Sequence, residues 1–267
     1  MSKPASICQA ALRVLETADA RHKATAAREL AHDWRQGKFA GKTKALPVDR
    51  PARPEKPELL LPRDMPKRGK GGNLENRIAL MHAIAHIELN AIDLAWDMVA
   101  RFGHDMPDDF IDDWVGVGDD EARHFIMIEE RLTELGAGYG ALPAHDGLWQ
   151  AAFDTRNDLA ARLAIVPMVL EARGLDVTPG MIKRLENFGD TKSAEALQVI
   201  YDEEIDHVRK GQKWFSWLCE KSGWDGQEKY QDLVRQHFSG KLKPPFNVSA
   251  RAAAGLDEAY YLPLSDT

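Results

Sequence analysis

One interval occurs twice in this sequence. Glu88 is followed 33 residues later by Glu121-Ala-Arg-His124 (121 − 88), and Glu171 is followed 33 residues later by Glu204-Ile-Asp-His207 (204 − 171). On a helix, positions i and i+3 share a face, so each Glu-x-x-His sets a carboxylate beside an imidazole. A chain with this pattern is constrained to two similar helical hairpins. The remaining Glu-x-x-His, Glu29/His32, has no partner 33 residues upstream and reads as a surface pair.

The surroundings of the unpaired glutamates sharpen the constraint. Glu88 interrupts the apolar stripe Met81, Ile84/Ala85, Ala91/Ile92, Ala95 and Val99, and Glu171 follows the apolar run AIVPMVL. An isolated charge in such a stripe would cost several kcal/mol, so these carboxylates need a strong partner. Two divalent ions about 3.5–4 Å apart need bridging carboxylates to offset their repulsion. One Glu from each of two helices and Glu-x-x-His from each of two others is the ligand set of ferritin-like dinuclear sites. The expected ligands are therefore Glu88, Glu121, His124, Glu171, Glu204 and His207. At i+3 from Glu88 and Glu171 stand Ala91 and Gly174, small enough to leave room for oxygen or a substrate.

The rest of the chain reads as all-α. Helical patterns are expected at 4–18 and 22–37, then at 73–102 with Asn73 as N-cap, 106–136, 148–174, a short helix from Pro179-Gly180 to Phe188, 190–222 and 226–238. The stretch from Pro47 to Gly72 is too rich in proline for a helix and too long for a turn. Because it contains Leu59, Leu60 and Leu61, it is expected to lie on the body as an extended strap. The division implied is 1–72 (N-terminal helices and strap packed on the bundle), 73–222 (four-helix bundle) and 223–267 (C-terminal helix and tail).

Bulk features exclude several classes. Cys8 and Cys219 are the only cysteines, which fits a reducing compartment and cannot supply a four-cysteine iron site. The N-terminus lacks an apolar signal-peptide core, and no run approaches the roughly 18–20 apolar residues of a membrane span, so a cytoplasmic protein is expected. No G-x-G-x-x-G follows a strand, so any flavin or nicotinamide chemistry belongs to another protein. Residues 1–77 carry 17 Lys/Arg against 9 Asp/Glu (+8), and residues 78–267 carry 18 against 33 (−15). The favoured reading is a basic segment packed on an acidic body. A tRNA-binding surface is the disfavoured rival, since the stretch holding Arg63, Lys67, Arg68 and Lys70 lacks aromatic stacking residues.

DEARH (120–124) is similar to the Asp-Glu-x-Arg-His motif of di-iron monooxygenases, with EEIDH (203–207) resembling its partner. Residues 73–222 resemble the ferritin-like superfamily. HAIAHIELNAIDLAWD, VLEARGLDVTPGM and IYDEEIDHVRKGQKWF resemble a bacterial ferritin-like family of unknown function, distantly similar to the tRNA isopentenyl-adenosine hydroxylases. The resemblance implies two iron ions (manganese or a mixed pair as alternatives) and O2 activation on a small-molecule or modified-nucleoside substrate. Electrons would come from a separate reductase, and a homodimer is compatible. A ferroxidase or metal-handling role, and a di-manganese or di-iron peroxide-consuming enzyme, remain as alternatives. It also implies that Asp120 orients His207, with Glu203 or Asp202 doing the same for His124.

Four further features carry expectations. Tyr201, one turn before Glu204, is a candidate radical or proton-donating phenol whose competing role is packing. Trp114 reads as core. His82 and His86 face away from Glu88, toward the N-terminal helices or the strap. Pro167 should kink its helix or form a π-bulge.

Overall fold

The computed structural model describes residues 6–66, 72–239 and 241–265. Among them no strand occurs, only two isolated bridges, Leu59 with Ala144 and Leu242 with Ser265. The fold is all-α. Its helices are α1 (Ile7–Leu15), α2 (Ala20–Arg35), α3 (Leu74–Phe102), α4 (Asp108–Glu134), α5 (Gly147–Asp154), α6 (Leu159–Ile165), α7 (Ala172–Asn187), α8 (Thr191–Ser222), α9 (Gly226–His237), α10 (Val248–Ala253) and α11 (Glu258–Tyr261). The chain forms two compact units, Met1–Trp149 and Gln150–Thr267.

In the first unit, α3 packs against α1 and α4, and α2 against α4. Asn73 caps α3 as expected, its side chain accepting from the backbone N–H of Asn76. Every residue of α3 from Glu88 to Ala100 is buried, so the helix is enclosed all round and not along one stripe. That enclosure explains a composition apolar enough to cross a bilayer: 72% of its most apolar window lies inside the protein. The polar residues on its far side are paired. Asp93 bonds Lys23 of α2 and, at 3.0 Å, Arg53 of the strap.

The basic segment packs on acidic neighbours within this unit. Arg21 pairs with Glu129 (2.9 Å) and Glu130 (3.1 Å), Arg28 and Arg35 with Asp119 (3.2 and 2.6 Å), and Arg50 with Asp146 (2.6 Å). Glu29 pairs with Arg13 on the surface. Among its described residues the strap lies on the first unit, but its leucines are not what holds it. Leu59 and Leu61 are exposed, and the anchors are Arg53 and backbone bonds: Ala52 N–H to Leu15 C=O and Leu60 N–H to Ala144 C=O, both 2.8 Å. Lys67, Arg68 and Lys70 lie outside the described residues.

In the second unit the expected helix 148–174 is redrawn. The chain breaks after Asp154, restarts at Asp158 as N-cap, and runs unbroken to Asn187 through Gly174 and Pro179. Within it, Val166–Glu171 is π-helical, as Pro167 suggested. Pro179 forfeits one hydrogen bond, yet Leu175, Thr178, Ile182 and Leu185 form a continuous buried stripe on a helix that packs against α8, and tertiary packing overrides local breakers. The glycine α8 needs is Gly211, where any Cβ would overlap the Pro167 ring. The Tyr230 hydroxyl of α9 donates to the Met168 carbonyl within the π turn (3.2 Å).

Candidate metal centre

Helices α3 and α4 bring three candidate ligands of the first unit to one place. His124 Nδ1 lies 3.2 Å from a Glu88 oxygen and 3.4 Å from a Glu121 oxygen. Glu88, Glu121 and His124 are buried, at 3%, 0% and 0% exposure, and offer ligand atoms within 4.8 Å of one another. Donors about 2.1 Å from a common ion stand about 3.0 Å apart at right angles and about 4.2 Å apart when opposed. The measured spacings fit one ion held by all three. Two carboxylates this close repel, and burial amplifies the repulsion, so the set could hold a cation. Carboxylate and imidazole together suit iron, manganese or zinc better than a soft metal.

Close helix packing sustains this geometry. A Cβ at Gly118, one turn before Glu121, would come within 2.6 Å of the Trp96 indole nitrogen. The absence of a side chain there lets α4 rest on α3. Trp114 is buried beside Phe110 (ring centroids 6.2 Å apart), a core residue as expected.

The second unit carries the equivalent pair. His207, fully buried, has Nδ1 3.5 Å from a Glu204 oxygen. Glu171 is the last residue of the π turn, which packs against α8. The Tyr201 hydroxyl accepts from the Asn247 side chain (2.9 Å), so a tail residue positions it. Asp202 is exposed and accepts from Gln198 (2.8 Å); Glu203 is half-buried on the same helix. In the first unit, Asp120 accepts from Arg123 at 3.2 Å.

His82 and His86 depart from expectation. Their hydrogen-bond partners lie in the loop after α4 and not in the N-terminal helices or the strap, although the strap's Arg53 is close enough to His86 to act on it electrostatically. His82 Nε2 accepts from the backbone N–H of Gly140 (3.0 Å) and Leu142 (3.4 Å). His86 meets the Tyr139 hydroxyl (2.8 Å) and the His145 carbonyl (3.1 Å). Burial lowers both imidazoles to about 4. Arg173 and Arg251 carry no local signal in the sequence, and Lys241, Lys243 and Phe246 are marked only by the basic-aromatic run KLKPPF.

Comparison with known proteins places these features in a group. Residues 16–262 match the family described as "Protein of unknown function (DUF455)". Over 211 residues the chain is 39% identical to an uncharacterized protein of Haemophilus influenzae, an alignment covering 77% of this chain and 73% of that protein. No solved structure matches.

Proposed function

Because the chain belongs to the DUF455 family, whose description assigns no activity, we propose its function from the ligand set. Glu88, Glu121, His124, Glu171, Glu204 and His207 hold two iron ions, and the protein is an O2-activating di-iron oxidoreductase of the hydroxylase or oxygenase type acting on an organic substrate. The observation that carries the reading is the buried convergence of Glu88, Glu121 and His124, set beside the same Glu-33-Glu-x-x-His interval at Glu171, Glu204 and His207. Such a duplication supports a ferritin-like bundle with two equivalent ligand sets.

When bound, the iron pair supplies the reductive activation of O2. The chain's own part is to supply four carboxylates and two imidazoles that balance the metal charge, with Glu88, Glu121, His124 and His207 kept from water by burial. Ala91 and Gly174 leave space beside the ligands, and Tyr201 stands one turn from Glu204 as a proton-donating phenol. A separate reductase delivers the electrons, and two buried free thiols, Cys8 and Cys219, suit the reducing cytoplasm. The ion pairs that occupy the basic N-terminal segment favour a small-molecule or modified-nucleoside substrate over tRNA.

Metal analysis of the protein purified from its native host tests the reading: about two iron ions per chain, with O2 uptake once an electron donor is supplied. Manganese in place of iron, with oxygen evolved from peroxide, would move the assignment to a catalase-type enzyme.

A further inference from the structure

We propose that the C-terminal tail completes a binding site for a small organic anion, with a carboxylate or phosphate head on an apolar body. In the second unit a cleft of about 280 Å³ opens between the π turn and the tail. Four cations line it, Arg173, Lys241, Lys243 and Arg251, against one acid, Asp176, a balance of +3. Phe238 and Phe246, with Val169 and Leu170 of the π turn, give it apolar lining. Its size lies just below the roughly 300–1,000 Å³ typical of small-molecule sites, which suits a compact organic acid and not a polymer.

Arg251 is the residue that makes this a built site. It is 2% exposed, and Asp176 takes its Nε (2.8 Å) and Nη2 (2.7 Å). Its Nη1 is buried with no hydrogen-bond partner. A buried donor left unmet is costly, and with the Nε–Nη2 edge taken by Asp176 an oxyanion is an acceptor that would meet Nη1. The guanidinium also sits over the rings of Phe246 (5.1 Å) and Tyr261 (4.5 Å), so its position is set before any ligand arrives.

The tail is tied down in the same way. Arg173 donates to the carbonyls of Lys243 (2.6 Å) and Pro245 (3.3 Å), and the backbone N–H of Asn247 donates to Asp176 (2.9 Å). The cleft is therefore preformed, which lowers the cost of binding. Val169 and Leu170 immediately precede Glu171, so an occupant touches the segment bearing a proposed metal ligand. The anion site itself rests on Arg251 and the cleft and does not require the metal.

Calorimetric titration of the full chain with 4-phenylbutyrate, phenyl phosphate, the neutral 4-phenylbutan-1-ol and inorganic phosphate tests the proposal. One or both organic anions should bind one to one, at least about tenfold tighter than the alcohol, because only they meet the guanidinium. Whichever binds assigns the head group. Arg251→Lys, which keeps the charge but loses the Nη1 donors, and the exposed Lys243→Glu should each weaken binding at least about fivefold. Lys243→Glu keeps the test valid if Arg251→Lys folds poorly. Glu121→Gln should bind the anion like wild type, which separates this site from the metal assignment. Absence of saturable binding by either organic anion, equal binding of the alcohol, or unchanged affinity in a folded Arg251→Lys or Lys243→Glu would overturn the proposal.

Discussion

The Pro167 ring occupies the space a Cβ at position 211 would need, so Gly211 is what lets α8 close onto the π turn that ends in Glu171. Gly118 stands to Trp96 in a similar way, one turn before Glu121. In each unit a glycine on the Glu-x-x-His helix permits the close approach that sets the ligands. Gly211→Ala should lower stability by about 1–3 kcal/mol, because a proline ring cannot rotate away. Gly118→Ala should cost a similar amount. Urea denaturation of the metal-free variants measures both, and an Ala at 211 with wild-type stability would contradict the packing described here.

The ligand assignment predicts stoichiometry. Wild type should hold about two metal ions per chain, and Glu121→Ala or His207→Ala should lose at least one, read by plasma mass spectrometry. Full occupancy in either variant would remove that residue from the set. Oxidised iron-loaded protein should also show near-ultraviolet absorption from carboxylate- or oxo-bridged ferric ions.

His82 predicts an acid-labile contact. Its ring is held near 4 by burial, against an ordinary value of 6.5, so the unfolded chain takes up a proton first as pH falls. Stability is full above about 6.5 and is lost as pH drops toward 4, by roughly 2–3 kcal/mol from this ring. A protonated Nε2 could no longer accept from Gly140 and Leu142. His82→Gln, which keeps an acceptor without a titration, should flatten the metal-free protein's stability between pH 6.5 and 4.5. An unchanged slope would show that other groups govern it.

Asp93→Asn should be severe. It leaves Lys23 buried beside a neutral amide, and breaking a buried pair from one side typically costs about 3–5 kcal/mol. Thermal denaturation would report it, and a change under about 1 kcal/mol would mean that Arg53 and solvent compensate.

Binding of tRNA should be negligible at physiological salt. Arg21, Arg28, Arg35 and Arg50 already face Glu129, Glu130, Asp119 and Asp146. Tight binding that falls steeply with salt, as counterion release demands, would reverse this and favour a tRNA substrate.

Much of this architecture is local and was therefore legible in the sequence. Asn73 begins α3 because its side chain reaches an N–H three residues on, and Gly223 ends α8 because it alone there takes φ 70°. The i, i+3 spacing of Glu121/His124 and Glu204/His207 needs only helical periodicity, and Pro167 signalled the π turn because it removes a specific donor. What lay beyond such reach depended on contacts between residues tens of positions apart. The helix runs through Gly174 and Pro179 because burial of Thr178, Ile182 and Leu185 outweighs one lost hydrogen bond. The strap is held by Arg53 on Asp93 and not by its leucines. His82 finds its partners 58 and 60 residues away, and Arg251 meets Asp176 across 75. Chain periodicity carries no record of such pairings; they form only when packing brings a buried charge or donor to the one group able to satisfy it.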